Sequence, residues 1–203
     1  MKKLIVEGVG TFFLVLTVAL TGNPVAIGFM LVALVYMGGY ISGAHYNPAV
    51  TLGLWVTKKI DGTIARRYIA VQMVGGMIAA AVYNFIKQDI FTPAPGIGVS
   101  MPVAFLVEVL FTFLLVSVVH HVAVSDKTKG NQYYGLAIGM TVLAAATAGG
   151  PISGGAFNPA VGVGPLLFDV THQAAHMSLI FLYAAGPLTG GLLAGLAYNK
   201  LSK

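Results

Sequence analysis

Cysteine is absent from the 203 residues and charge is scarce, with 11 Lys and Arg and 6 Asp and Glu making up 8% of the chain. The first absence excludes a disulfide framework, a thiolate metal site and a cysteine nucleophile. The second leaves too little polar surface to meet water on every side, because 57% of the residues are hydrophobic and the mean hydropathy is +0.86. Lipid is therefore the expected solvent and first partner. Hydrolytic signatures are missing as well: there is no HExxH, no GxSxG and no acid/base pair beside a loop motif, so an intramembrane enzyme is not expected. The bases raise the isoelectric point to about 9.5. They sit in short clusters between apolar runs and not in a stripe interleaved with aromatics, which argues against nucleic acid as a partner.

Six apolar runs approach the length of a bilayer crossing: 4–21, 25–41, 64–86, 101–124, 133–149 and 176–199. Two shorter runs, 48–57 and 159–168, have about half of the twenty residues that a crossing helix needs. The first run follows Lys2 and Lys3 as a signal peptide would. Glu7 within it, the lack of a small-x-small cleavage site and the five later spans make it the first membrane helix instead. If all six runs cross, ten of the eleven bases fall on one side and Lys87 alone on the other. Both termini are then expected to be cytoplasmic, in the plasma (inner) membrane.

The chain repeats itself. "SGAHYNPAV" at 42–50 returns as "SGGAFNPAV" at 153–161, "EGVGTFF" at 7–13 as "EVLFTFL" at 108–114, and "QMVGGMIAA" at 72–80 as "PLTGGLLAG" at 187–195. Each half reads span, span, half-span, span. Three crossings per half is an odd number, so the second copy must enter the membrane from the opposite face. The predicted fold is an all-α membrane protein of six transmembrane helices plus two re-entrant half-helices in an inverted tandem repeat. It forms one domain over 1–203, with repeat 1 at about 1–90 and repeat 2 at about 101–203, divided by the Pro- and Gly-rich segment 88–100.

Asn-Pro starts a helix, since Asn caps the N-terminus and Pro suits the first helical position, where its missing N–H has no partner to lose. A half-span starting with Asn-Pro must begin inside the membrane, and the carbonyls of its lead-in need protein or a water-filled cavity. Two such helices entering from opposite faces aim their positive ends at the middle, where cations meet a barrier. Asn47 and Asn158 can donate to a passing neutral molecule. The loop residues Gly43, Ala44, His45, Gly154 and Gly155 can offer backbone carbonyls as acceptors, while Pro48, Ala49, Pro159 and Ala160 complete the two helix starts.

These residues resemble the aquaporin and aquaglyceroporin family of membrane channels, and the likeness covers nearly the whole chain: six spans, two Asn-Pro-Ala half-helices, and an acid, Glu7 or Glu108, in the first span of each half. The resemblance implies a homotetramer of independent pores, each passing water or small neutral solutes without a cofactor. It also implies that Glu7 and Glu108 are structural acids bonded to the motif loops. Four positions carried over by spacing make the narrowest point: Ile27, Ala146, Gly155 and Val161. Most of the family has Arg where this chain has Val161, and the glycerol-conducting members usually have Asp where it has Gly162. The filter is therefore expected to be wide and apolar, admitting glycerol, urea, ammonia or similar solutes. A secondary transporter of a small polar solute is the alternative, because inverted repeats and broken helices also describe that class.

Other residues invite plainer readings. His45 is expected to touch the pore, the alternative being a bond that braces its loop. His172 and His176 are four apart with Asp169 one turn earlier, but two histidines and one carboxylate make a poor metal site, and none is expected. Adjacent His120 and His121 read as interfacial residues. Trp55, Tyr133, Tyr134 and Tyr198 read as aromatic anchors at span ends, and Gly75-Gly76 and Gly190-Gly191 as places of close helix packing.

Overall fold

The computed structural model describes residues 1–169 and 173–202. Among these, six helices are long and apolar enough to cross a membrane, and the two half-spans are short helices. In chain order the helices are α1 (Lys2–Thr21), α2 (Pro24–Ser42), α3 (Pro48–Val56), α4 (Gly62–Lys87), α5 (Met101–Val119), α6 (Tyr134–Ser153), α7 (Pro159–Phe168) and α8 (Gln173–Leu201). No strand occurs among the described residues.

The helix starts follow local chemistry. Asn23 accepts from the N–H groups of Val25 and Ala26 ahead of Pro24 at the first position of α2. Asp61 caps α4 in the same way, and the amide hydrogens of Thr63 and Ile64 hold its carboxyl below the usual carboxylate range. Gly22 ends α1 in the left-handed region, leaving only Gly22 and Asn23 to turn the chain into α2. The fifth span runs on to Ser153 through Pro151, past the expected end at 149. The fourth keeps its expected reach to Val124, but its last turn, His120–Val124, is a π-helix.

Packing repeats with the sequence. Helix α1 lies against α4 and α5 against α8, while α2 meets α6 between the halves. The half-helices cross over: α3 packs on α8 and α7 on α4. The glycine pairs make this approach possible. A Cβ on Gly76 would run into the Ala160 carbonyl of α7, and one on Gly191 into the Ala49 carbonyl of α3. Gly75 and Gly190 play the same part toward Gly8 on α1 and Val109 on α5.

Two aromatic or histidine assignments change. His120 is fully buried and not interfacial. Its Nδ1 meets the Val116 carbonyl at 2.7 Å and its Nε2 meets Thr57 Oγ1 at 3.1 Å, so the end of α3 supplies the polar partner that makes burial affordable. Tyr198 is buried too, its ring 4.7 Å from that of His120. A histidine side chain with two ring partners has no need of the headgroup region, which is what adjacency in sequence could not reveal. Trp55 and Tyr133 are half-exposed, whereas Tyr134 packs edge-on against Tyr36.

Candidate functional site

The two motif loops are built alike, residue for residue. In the first, Gly43, Ala44 and Tyr46 have φ of 94°, 49° and 47°; in the second, Gly154, Gly155 and Phe157 have 91°, 67° and 47°. Left-handed backbone at Ala44, Tyr46 and Phe157 is costly for residues with a Cβ and persists only where surrounding bonds enforce it.

Those bonds come from the two buried acids. Glu7 Oε1 accepts from Ser42 Oγ at 2.7 Å and the His45 amide at 2.9 Å, and Oε2 from the Tyr46 amide at 2.8 Å and Gln72 Nε2 at 2.9 Å. Glu108 repeats three of the four: Ser153 Oγ at 2.7 Å, the Ala156 amide at 3.1 Å and the Phe157 amide at 2.7 Å. Both carboxyl groups are fully buried, and each oxygen has a donor, which offsets the cost of burying a charge. Gln72 has no equivalent in the second half, where "PLTGG" puts Pro187 at the matching place. Its bond to Glu7 was not foreseen, although Gln72 stands out as a polar residue inside an apolar span.

Each motif Asn is both cap and brace. Asn47 Oδ1 accepts from the Ala49 amide at 2.8 Å, and Asn158 Oδ1 from the Ala160 amide at 2.9 Å. Their amide nitrogens cross to the opposite loop: Asn47 Nδ2 donates to the Phe157 carbonyl at 2.9 Å and Asn158 Nδ2 to the Tyr46 carbonyl at 2.9 Å. One of the two hydrogens on each amide is thereby engaged. This reciprocal pair of bonds lay outside the sequence reading, which had the amides donating into a pore.

A cavity of about 560 Å³ runs past this junction. Its wall includes Asn47 and Asn158, Gly43, Ala44 and His45 from the first loop, and Gly155, Ala156 and Phe157 from the second. Ile27, Ala146, Gly155 and Val161, from four separate segments, share that wall. Most of the remainder is aliphatic, with Leu14, Leu31, Val35, Leu115 and Val119 among the residues on it. At one end it reaches Asp126, Lys129 and Asn131 in the segment between α5 and α6. Pro48, Ala49, Pro159 and Ala160 stand behind the wall, as does Gly154, which backs onto the Tyr183 hydroxyl and the Ala94 carbonyl.

His45 does both things the sequence left open: it lines the cavity and its Nδ1 meets Thr51 Oγ1 at 3.0 Å. His176 pairs with Asp169 at 2.9 Å, tying the end of α7 to α8. His172 lies outside the described residues.

Six membrane helices around two opposed half-helices, with a cavity threading the point where they meet, define a channel of the inverted-repeat kind. The chain belongs to the major intrinsic protein family, whose model matches residues 1–198. It is 33% identical to aquaporin AqpM of Methanothermobacter thermautotrophicus over 99% of this chain and 97% of the relative. It is 32% identical to a probable NIP-type aquaporin of Nicotiana alata, over 99% of this chain and 78% of that one. Its fold is similar to that of the aquaglyceroporin from Plasmodium falciparum, with a TM-score of 0.84 and 21% identity over 99% of this chain and 96% of the other.

Proposed function

We propose that the chain is a passive channel for water and small uncharged solutes such as glycerol, urea or ammonia, with a wide, apolar filter formed by Ile27, Ala146, Gly155 and Val161. The observation that carries this reading is the composition of that quartet on the cavity wall: none is charged, aromatic or a hydrogen-bonding side chain. An Arg at position 161 would bring five donors and a fixed charge to the narrowest point. Val161 brings neither, so a solute passing there is held by dispersion and by backbone alone. Water, which gives up strong hydrogen bonds for few replacements, is slowed relative to solutes with an apolar edge.

Exclusion of ions then falls to the centre. The N-termini of α3 and α7 each carry about half a positive charge, and the second amide hydrogen of Asn47 and of Asn158 is available to a neutral passenger. The carbonyls of Gly43, Ala44, His45, Gly155 and Ala156 receive no hydrogen bond from a described residue and can serve as its acceptors. Every oxygen of Glu7 and Glu108 has a donor, which supports a structural role for both and leaves a coupled transporter no carboxylate on the cavity wall at the midplane, where His45 is the ionisable side chain. In this reading the chain is one domain of two repeats, is not an enzyme, assembles as a homotetramer in the plasma membrane and keeps both termini in the cytoplasm.

Val161→Arg in proteoliposomes tests the filter by stopped-flow light scattering. Glycerol and urea permeation are expected to fall about tenfold or more while water permeation falls far less. Equal loss of both, or wild-type channels closed to every solute but water, contradicts the wide filter. A wild-type flux that follows an imposed sodium or proton gradient assigns the chain to the transporters instead.

A further inference from the structure

We infer that Tyr183, which never reaches the cavity, sets the width of the conduit at Gly155 and Val161 from behind. The inference rests on the filter reading above and makes Tyr183 a positioning residue. Tyr183 lies on α8 and is fully buried. Its hydroxyl donates to the Ser153 carbonyl at 2.7 Å, immediately before the left-handed pair Gly154 and Gly155. Its body fills the space that two missing side chains leave open. A Cβ on Gly154 would overlap the Tyr183 hydroxyl, and a Cβ on Gly162 would overlap the Tyr183 Cβ. Gly154 precedes Gly155 and Gly162 follows Val161, so both wall residues are flanked by a glycine seated on this one tyrosine. Ala156, Val161 and Val163 belong to the same buried apolar cluster as Tyr183. The wall has little bulk of its own here; where it stands depends on what it leans against.

The inverted repeat supplies an internal control. Tyr68 on α4 is fully buried and donates to the Ser42 carbonyl at 2.8 Å, immediately before Gly43 and Ala44. The residue that matches Gly162 there is Thr51, four after the motif Asn. Its hydroxyl lies within hydrogen-bonding distance of His45 Nδ1, Gln72 Nε2 and the Asn47 carbonyl, at 3.0, 3.0 and 3.1 Å. At this position side chains tie the first loop where the second rests on the Tyr183 ring; the Tyr68 ring packs edge-on against His45, which is not one of the four filter positions. Tyr68 therefore makes the equivalent bond away from the four filter positions, and the two tyrosines share the anchoring role without sharing the filter.

The test compares erythritol with glycerol permeation in proteoliposomes for Tyr183→Leu, Tyr183→Phe, Tyr68→Leu and Tyr68→Phe. Tyr183→Leu lets the wall fall back, and the erythritol-to-glycerol ratio is expected to rise about tenfold, the low end of the discrimination one carbon provides in a shaped pocket. Tyr183→Phe keeps the ring but loses the bond to Ser153; the ratio is expected to rise in the same direction by less. Both Tyr68 variants are expected to leave it unchanged. Equal shifts at the two tyrosines, or no shift at Tyr183, overturn the inference, and if Tyr183→Leu gives no folded channel, Tyr183→Phe decides. Val161→Arg in the same assay separates the two levels. A Val161→Arg channel with the wild-type solute range removes the filter reading itself, whereas a narrowed one beside inert Tyr183 variants removes this inference alone.

Discussion

Glu7 and Glu108 are the residues on which both loops depend, and their surroundings differ in a way that ranks them. Every group on either carboxylate is a donor, and replacing an oxygen by an NH2 sets donor against donor. Glu7→Gln and Glu108→Gln are each expected to destabilise the fold by about 3 to 5 kcal/mol, the cost of breaking a buried charged network by removing one partner. Glu7 has the additional Gln72 bond and the link through Gln72 to Thr51, so Glu7→Gln is expected to lower the yield of folded protein further than Glu108→Gln. Size-exclusion yield and detergent-solution melting temperature measure this. A well-folded Glu7→Gln channel with altered ion coupling contradicts the structural role. At this scale the sequence was legible where chemistry is local: the caps at Asn47 and Asn158 follow from Asn-Pro alone. It was silent on partners chosen by the fold, such as the Phe157 and Tyr46 carbonyls or the Thr57 hydroxyl beside His120, because contacts across 110, 112 and 63 positions leave no local trace.

The helices themselves were legible because membrane helices announce their length. Hydrophobic runs placed all six spans, and the two that were too short stood out by the same measure. Boundaries were less so: α6 continues through Pro151 to Ser153, since proline inside a membrane helix need not end it. The glycine pairs were read as packing sites, but which helix each one faces became known only from the fold. That geometry makes a prediction for α8. Gly191→Ala forces a methyl into the Ala49 carbonyl of α3, and Gly76→Ala does the same at Ala160 of α7; overpacking of this kind costs about 1 to 3 kcal/mol. Both variants are expected to lose water and glycerol permeation together, since moving a half-helix moves its Asn. Gly150→Ala on α6, where an added Cβ meets no atom within 4 Å, is expected to behave as wild type. A Gly191→Ala channel with normal fluxes argues that α3 is not held at that contact.

Across the whole molecule the lack of cysteine becomes an experimental convenience, because any introduced thiol is unique. The count of bases predicts that Lys129→Cys, between α5 and α6, reacts with an impermeant maleimide only from the cytoplasmic side, and that Gly98→Cys, in the segment joining the halves, reacts only from outside; the reverse pattern overturns the orientation. Fold class and inverted architecture were visible in the sequence because a doubled motif and an odd number of spans per copy allow few other arrangements. The proposed filter was legible only as a list of four residues, Ile27, Ala146, Gly155 and Val161, since where such a wall stands depends on neighbours that the list omits. The crossed bonds at the centre carry a further meaning, one of time. A chain made from its N-terminus completes α3 well before Asn158 exists, so the Tyr46 carbonyl waits without its donor and Asn47 without its acceptor until the second half arrives. The first half-helix cannot be fully seated by the half that encodes it, because the bonds that hold its Asn and its lead-in carbonyl come from the second.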